Sequence, residues 1–339
     1  MMTVKRKIKV AGTIVLCFLF IVILGIVFQK NNERSPVKVI FIAKVLDNTN
    51  EFWSALVAGA NMAAQEYGVE LTVMGPKEET DIAGQNRMID EAIAKKPDVI
   101  VLTPDSFKET TPYARKIEAA GIHLVLVDSV IDADFADSEV ATNNFEAGAK
   151  LGNYMRLFTD KESQIAFVGN VQGTSTAIER EEGIRFGLKE YDAQVKEVVF
   201  CGSEFQTAYD LTMEILEEQP DITVIVGFNE YSAVGVARAV KDKGVGNRVA
   251  VFGIDSSIEQ VKLLEEGIFK GLVIQNPFNM GYLGVEQAVK IADGKENIRK
   301  LDSGSTLVTK QDMYSKENQK LLFPFIGRQA VEEEIIVSK

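Results

Sequence analysis

The sequence is poor in the residues on which most metal and nucleophile chemistry depends: its 339 residues include two cysteines, one histidine and one tryptophan. Cys17, Cys201 and a single histidine are too few for a Cys/His zinc site. Cys17 lies inside an apolar run, so a disulfide between the two cysteines is not expected. Catalysis by histidine would rest on His123 alone, which opens the apolar segment His-Leu-Val-Leu-Val, where a structural role is expected. We therefore predict no catalytic residue and no metal site.

Motifs that bind nucleotide phosphates are absent as well. Neither Gly-x-Gly-x-x-Gly nor Gly-x-x-x-x-Gly-Lys-Ser/Thr occurs, and the Gly-x-Ser-x-Gly turn of many hydrolases is also missing. An enzyme acting on a sugar or a nucleotide is an alternative from another functional class. It would need a nucleophile or base with an activating partner, and the sequence supplies none. No cofactor is expected.

Basic residues are outnumbered, since 37 Lys and Arg stand against 49 Asp and Glu and the net charge is −12. The first thirty residues contain five basic residues and no acidic one, which leaves −17 for the remainder. Nucleic-acid binding relies on clustered Lys and Arg. We therefore expect no nucleic-acid partner.

One long hydrophobic run is present, over residues 11–28, and four basic residues closely precede it. A helix of this length spans about 27 Å, close to the hydrocarbon thickness of a bilayer. Because positive flanks stay in the cytoplasm, we predict a single-pass signal anchor in the cell membrane. Residues 1–10 would be cytoplasmic, 29–36 a linker, and the rest extracytoplasmic. A cleaved signal peptide and a lipoprotein attached at Cys17 are the alternatives; the run lacks a small-x-small site at its end, and Cys17 lies in its middle.

Beyond this segment, short apolar β-branched runs alternate with amphipathic runs. Lys38–Lys44 and Val69–Met74 are predicted strands that flank a predicted helix over Glu51–Tyr67, and a further helix is predicted over Ser106–Ala120. Continuous apolar strands separated by helices indicate a parallel sheet covered on both faces. The pattern restarts in the second half of the chain. We therefore predict an α/β fold with two doubly wound parallel-sheet lobes.

Polar residues close or directly follow several of the predicted strands. They are Thr103, Asp128, Asn229, Asp255 and Gln275. Doubly wound sheets bind ligands outside the carboxyl ends of their strands, although Asp, Asn and Thr are also favoured helix N-caps. Five such residues in equivalent places favour a ligand site.

These side chains suit a neutral polyol, because sugar hydroxyls both donate and accept hydrogen bonds. The C–H faces of a sugar need flat apolar surfaces, which aromatic rings provide. Phe52 and Trp53 at the start of the first helix, and Phe205 in the second half, are the candidates. Adjacent helical residues point about 100° apart, so the alternative is that Phe52 or Trp53 belongs to the core.

Five short segments occur in an order and spacing known from one family. They are Asn50-Glu51-Phe52-Trp53, Gly173-Thr174-Ser175-Thr176-Ala177-Ile178-Glu179-Arg180, Phe228-Asn229-Glu230, Gly253-Ile254-Asp255 and Ile274-Gln275. These segments resemble the sugar-contacting segments of ribose-binding proteins, which are type I periplasmic binding proteins. The similarity runs from about Val37 to about Lys310. One departure is Ser129, since an Arg usually follows the aspartate at this point in the family's sugar binders.

The resemblance implies a sugar-binding site. Side chains that would hydrogen-bond sugar hydroxyls are Asn50, Asp128, Arg180, Asn229, Asp255 and Gln275. Rings that would stack on the sugar are Phe52, Trp53 and Phe205. Thr103 occupies a position that is Asn in ribose binders.

The resemblance also implies discontinuous lobes joined by a three-strand hinge. Crossings are expected near Ala141–Asn144, Gln275–Phe278 and Asp302–Leu307. The N-terminal lobe would then contain residues 37–142 plus 276–304, and the C-terminal lobe residues 143–275 plus 305–339. Binding would proceed by closure of this hinge around the sugar.

Taken with the predicted anchor, the resemblance implies a membrane-anchored extracytoplasmic protein that binds a monosaccharide: a pentose such as xylose or ribose, or a hexose. A retained membrane helix is similar to the anchored, xylose-sensing binding proteins that act on a membrane sensor kinase of a two-component system, so signalling is the main hypothesis. One alternative is the substrate-binding component of an ABC sugar importer, with an ABC permease as partner. The other is a receptor for an autoinducer or a small polyol, which Ser129 and Thr103 keep open.

Overall fold

The computed structural model describes residues 35–322. The predicted cytoplasmic segment and membrane helix, most of the linker and the last residues of the predicted C-terminal lobe lie outside the described residues. Within residues 35–322, no helix combines the length and the apolarity needed to cross a bilayer.

The first sheet contains six parallel strands. They are β1 (Lys38–Ile42), β2 (Glu70–Met74), β3 (Val99–Leu102), β4 (His123–Val127), β5 (Ser138–Ala141) and β11 (Lys300–Asp302). Their order across the sheet is β11-β5-β4-β3-β1-β2. All four residues of β3, Val-Ile-Val-Leu, are buried, as expected of a strand that is covered on both faces.

Four helices cover the first sheet. They are α1 (Glu51–Tyr67), α2 (Ile82–Ala94), α3 (Thr111–Ala119) and α9 (Pro277–Ala292). Helices α1 and α9 pack so closely that a Cβ at Gly281 would lie 1.9 Å from the carbonyl oxygen of Leu56. Helix α3 begins five residues after the predicted Ser106, since Ser106 instead forms a turn with Glu109 and Pro112 fits the first turn of the helix.

The second sheet repeats this order. Its strands are β6 (Gln164–Gly169), β7 (Val195–Phe200), β8 (Ile222–Gly227), β9 (Ala250–Ile254), β10 (Phe269–Gln275) and β12 (Ser305–Val308). They lie in the order β12-β10-β9-β8-β6-β7. Strand β12 is antiparallel to β10, so this sheet is mixed and not wholly parallel as predicted. The reason is the connection: β12 starts beside the end of β10, at the pair Ser305 and Gln275, and can only run back.

Helices cover the second sheet as well. They are α4 (Asn144–Met155), α5 (Ser175–Leu188), α6 (Phe205–Glu218), α7 (Glu230–Asp242), α8 (Ile258–Glu266) and α10 (Lys316–Leu322), with short 3₁₀ turns at Arg156–Phe158 and Lys189–Gln194. The predicted two-lobed α/β fold is confirmed.

The chain passes between the sheets three times, after β5, after β10 and after β11. The three connections are hydrogen-bonded to one another. Oγ1 of Thr142 lies 3.1 Å from Oγ of Ser303, the backbone N–H of Asn143 donates to Asp302 at 3.1 Å, and the side chain of Asn276 donates to the carbonyl oxygen of Ser303 at 3.2 Å. The carboxyl ends of both sets of parallel strands therefore face one cleft.

Candidate functional site

A cavity lies in this cleft, between the strand ends of the two sheets. Its lining residues are Lys44, Asn50, Phe52, Trp53, Glu79, Asp128, Asn170, Thr176, Arg180, Asn229, Tyr231, Asp255 and Gln275. At most about 290 Å³ of empty space lies among them. Eight of the ten sequence-predicted site residues are thereby brought together, which leaves Thr103 and Phe205 outside.

The start of helix α1 forms one wall. Asn50 caps this helix, because its Oδ1 accepts the backbone N–H of Trp53 at 3.0 Å. The rings of Phe52 and Trp53 meet edge to face, with centroids 5.1 Å apart. The two interpretations that the sequence left open therefore both apply: these rings pack in the core of the first lobe and also line the cavity.

Asp128, which directly follows β4, is held by a cation from the segment after β1. Nζ of Lys44 lies 2.7 Å from Oδ2 of Asp128, and both side chains are at most 5% exposed. Ser129 donates its hydroxyl to the same carboxylate oxygen at 2.9 Å. The cation beside Asp128 thus comes from the segment after β1, a strand that β3 separates from β4, rather than from the next residue in the chain.

Glu79 connects the two lobes at the back of the aromatic wall. One carboxylate oxygen accepts the indole N–H of Trp53 at 2.8 Å, and the other accepts the hydroxyl of Ser203, in the second lobe, at 2.7 Å. Burial raises the pKa of Glu79, although the nearby charge of Lys44 and these hydrogen bonds oppose that rise. The indole of Trp53 is therefore fixed in one orientation.

The opposite wall is built around Asp255, which follows β9. Gln275 donates its amide N–H to Oδ1 of Asp255, and the backbone N–H of Glu230 donates to Oδ2 at 2.8 Å. Burial raises the pKa of Asp255, and the charge of Arg180 acts against that rise. Arg180 itself is positioned by donating to Asn144 at 2.9 Å and to the carbonyl oxygen of Phe228 at 2.6 Å.

Asn229 serves two purposes at once. Its Oδ1 accepts the backbone N–H of Ser232 at 3.0 Å, which completes a capping box at the start of α7. Its amide nitrogen lies 3.3 Å from the hydroxyl of Ser203. The helix-cap interpretation and the site interpretation are therefore compatible at this residue.

Thr103 and Phe205 lie away from the cavity for identifiable reasons. The hydroxyl of Thr103 donates back to the carbonyl oxygen of Ile42 at 3.3 Å, within the first sheet. The ring of Phe205 packs on Tyr231, with centroids 4.7 Å apart, and Tyr231 takes the lining position. The third aromatic ring of the cavity is thus a tyrosine from α7.

Five lining residues were not predicted from the sequence patterns. They are Lys44, Glu79, Asn170, Thr176 and Tyr231. Lys44 and Asn170 follow the ends of β1 and β6, so the strand-end pattern could have identified them. Glu79 lies in a loop and the other two lie in helices, where no comparable pattern marks them.

The one histidine of the chain and the described cysteine, Cys201, lie outside the cavity. Among the lining residues there is no cysteine, serine or histidine. His123 lies elsewhere, with its Nδ1 3.2 Å from Asp137, and burial raises the pKa of the Cys201 thiol to about 11. Within residues 35–322, no cluster of three His, Cys, Asp or Glu side chains could hold a metal ion.

Two doubly wound lobes around a cavity of directional polar groups and aromatic rings define the class of two-lobed solute-binding proteins. A family model described as a periplasmic binding protein domain matches residues 39–296. The chain therefore belongs to the periplasmic binding protein family, and it is a binding protein rather than an enzyme.

The matches to several relatives extend over most of each relative's length. The D-allose-binding periplasmic protein of Escherichia coli is 27% identical over 252 residues, which are 71% of this chain and 80% of that protein. The D-ribose/D-allose-binding protein of Pseudomonas aeruginosa is 24% identical over 255 residues, 73% of this chain and 80% of that protein.

Two solved structures share the fold at higher coverage. The structure of a sugar transporter from Clostridium phytofermentans has 42% identity and a TM-score of 0.77, and the match covers 81% of this chain and 100% of that one. A carbohydrate transporter solute-binding protein from Agrobacterium radiobacter, in complex with D-arabinose, has 26% identity and a TM-score of 0.80, with 86% and 100% covered.

Proposed function

We propose that the chain binds a monosaccharide on the extracytoplasmic side of the membrane and acts as the substrate-binding component of an ABC sugar importer. The observation that carries this proposal is the cavity between the lobes, where acids, amides, one arginine and three aromatic rings converge. Relatives named for D-ribose and D-allose binding support an aldose as ligand. The name of the sugar transporter at 42% identity favours import over the signalling role that the predicted membrane anchor favours.

The charges of the cavity suit a neutral ligand. Lys44 and Arg180 stand against three carboxyl groups, those of Glu79, Asp128 and Asp255. Both cations are already engaged, Lys44 with Asp128 and Arg180 with backbone and amide oxygens. Because the three carboxyl groups outnumber the two cations, the lining offers no excess of basic groups that would attract a phosphate.

We assign roles to the lining residues on the same basis. Side chains proposed to hydrogen-bond the sugar are Lys44, Asn50, Glu79, Asp128, Arg180, Asn229, Asp255 and Gln275. Carboxylates accept from sugar hydroxyls and Arg180 donates to them, so each hydroxyl can use both capacities. The rings of Phe52, Trp53 and Tyr231 would cover the C–H faces, while Thr103 and Phe205 would act only through packing.

Sugar binding would be coupled to hinge closure. The lobes would be residues 37–142 plus 276–304 and residues 143–275 plus 305–339, with the three hydrogen-bonded connections as hinge. Each lobe contributes about half of the lining, so only a closed cleft surrounds the ligand. Closure would therefore enclose the sugar and place the surfaces of both lobes in position to contact a permease.

Calorimetric titration tests the ligand assignment, with D-ribose, D-allose, D-arabinose, D-xylose, D-glucose, D-galactose and small polyols. We expect saturable heat with at least one aldose. Arg180→Gln should weaken binding about 10- to 100-fold, because a charged donor is lost from the cavity. The matched control is Arg185→Gln on the same helix, since Arg185 pairs outside the cavity with Glu181 and Asp192. Heat with no aldose from folded protein, or equal losses in both variants, would contradict the assignment.

Signalling to a membrane sensor kinase stays as a second candidate, because the sequence predicts a membrane anchor over residues 11–28. The two candidates predict different defects in a strain that lacks the protein. Import predicts loss of uptake of the bound sugar, whereas signalling predicts intact uptake by other routes and loss of sugar-induced transcription. Heat from a small polyol alone would instead support the receptor alternative.

A further inference from the structure

The first turn of helix α1 is capped from two directions, and one of them crosses the cleft. Asn50 accepts the backbone N–H of Trp53 within the first lobe. The carboxyl group of Glu230, the first residue of α7 in the second lobe, accepts the N–H of Glu51 at 3.2 Å and of Phe52 at 3.1 Å. Helix ends leave these N–H groups without partners inside the helix. Contact between the lobes therefore completes the N-terminal cap of α1.

We propose that Glu230 is a positioning residue that locks the closed cleft around the sugar and couples this closure to the uptake of one proton. The inference rests on the proposed sugar-binding function. Glu230 does not line the cavity, but the turn that it caps carries Phe52 and Trp53, which do. It acts by fixing the aromatic wall of one lobe against the other lobe.

The lock is joined directly to the sugar site. The backbone N–H of Glu230 donates to Oδ2 of Asp255 at 2.8 Å, and Oδ1 of Asp255 accepts from Gln275. Asp255 and Gln275 line the cavity. A ligand that fixes the position of Asp255 therefore also fixes Glu230, whose carboxyl group binds the first turn of α1.

The surroundings of Glu230 disfavour a negative charge. The residue is only 3% exposed, and the charged groups facing it are both acids: Asp255 beyond β9 and Glu51 on α1. Among the described residues, its side chain is hydrogen-bonded to backbone N–H groups and to no lysine or arginine. Burial, only partly offset by those two N–H bonds, raises the pKa of Glu230 to about 8.

Opening the cleft would return this carboxyl group to water and its pKa towards the usual 4.5. Between these two values the closed form holds a proton that the open form releases. Because the pKa is raised in the closed form, the contribution of Glu230 to sugar affinity is fully present below about pH 4.5. It is lost as the pH rises through about 8.

Calorimetry of the full chain near pH 6.5, in two buffers of different ionisation enthalpy, measures this proton directly. The probe is the aldose that gives the strongest heat in the panel above. We expect the wild type to take up close to one proton more per sugar than Glu230→Gln does, and its affinity to fall by up to about tenfold per pH unit relative to that variant. An equal proton count in the two proteins would overturn the proposal.

Two further variants distinguish the specific effect of Glu230 from the loss of any hydrogen bond across the cleft. Ser175→Ala removes another bond across the cleft, in which the backbone N–H of Val130 donates to Oγ of Ser175 at 2.9 Å, but removes no titrating group. It should weaken binding without changing the proton count. Glu230→Asp keeps a titrating carboxyl group but shortens the side chain by one methylene, so it should lose both bonds to α1 and weaken binding. An Asp variant with wild-type affinity would contradict the lock.

Failure of the proposed function would be distinguishable from failure of this inference. If no sugar gives heat, the function fails, and small-angle scattering of the full chain still reports on the lock. The wild type should become more compact as the pH falls from 9 to 5.5, whereas Glu230→Gln should not respond. The same response in both proteins would contradict the role of Glu230.

Discussion

The two lobes place an aspartate at the same point of the same fold and hold it by different means. Strands β4 and β9 occupy the same position in their sheets. Asp128 and Asp255 follow them with positive φ angles of 64° and 80°, a conformation that Asp tolerates better than most residues. Asp128 is paired with the ammonium group of Lys44, whereas Asp255 is bonded to an amide and a backbone N–H.

Topology sets where the two aspartates lie, and the local sequence sets which groups they bond to. Topology brings the ends of equivalent strands to the same cavity, as with Lys44 after β1 and Asn170 after β6. The residue type at each strand end then decides which bonds form. Lys44 pairs with Asp128, whereas Asn170 bonds to Thr174 and Thr176, and the partners of Asp255 come from other segments. The first lobe has a buried ion pair, and the second lobe has a network of dipoles.

The largest expected effect comes from breaking the ion pair. Lys44→Met leaves Asp128 buried without its cation, which should lower the free energy of unfolding by about 3–5 kcal/mol. Urea denaturation measures this loss. The double variant Lys44→Met with Asp128→Asn should recover most of it, because no unpaired charge remains. A single-variant loss near zero would show that Asp128 does not depend on Lys44.

A smaller effect is expected from the equivalent change in the second lobe. Gln275→Ala removes one neutral donor from Asp255 but leaves the backbone N–H of Glu230 in place. Stability should fall by about 1–3 kcal/mol, the cost of one lost bond to a buried charged group. If this loss, measured under the same conditions, equals or exceeds that of Lys44→Met, the ion pair of the first lobe does not stabilise the fold more than the neutral bond of the second lobe.

The smallest effect is expected where the lobes behave alike. Asn50 and Asn229 each cap a helix and line the cavity. Replacing either with Ala should lower stability by about 0.5–2 kcal/mol through the lost cap, and both changes should weaken sugar binding. Thermal unfolding and calorimetry on the two variants check this. Normal sugar affinity in either one would limit that residue to capping.

Much of the fold could be predicted because the sequence carries it locally. Apolar strands such as Val99–Leu102 and amphipathic helices such as Glu51–Tyr67 each follow from a short pattern. The antiparallel direction of β12 could not be predicted in this way. It depends on where the chain re-enters the second sheet, which no local pattern encodes.

The lining of the cavity could also be predicted only in part. Strand ends identified Asp128, Asp255 and Gln275, because parallel strands converge at one edge. The pattern misled at Thr103, whose hydroxyl turns back to its own sheet. Contacts between the lobes, such as those of Glu79 with Trp53 and Ser203, join residues distant in sequence and were not visible before the fold was known.

Trp53 allows a direct test of whether a monosaccharide binds in the cavity between the lobes. It is the only tryptophan in the chain and it lines that cavity. Titration with the aldose panel should give a saturable change in tryptophan fluorescence with at least one sugar, and Arg180→Gln should shift that change to much higher concentration. Unchanged fluorescence with every sugar, from protein shown to be folded, would contradict monosaccharide binding in this cavity.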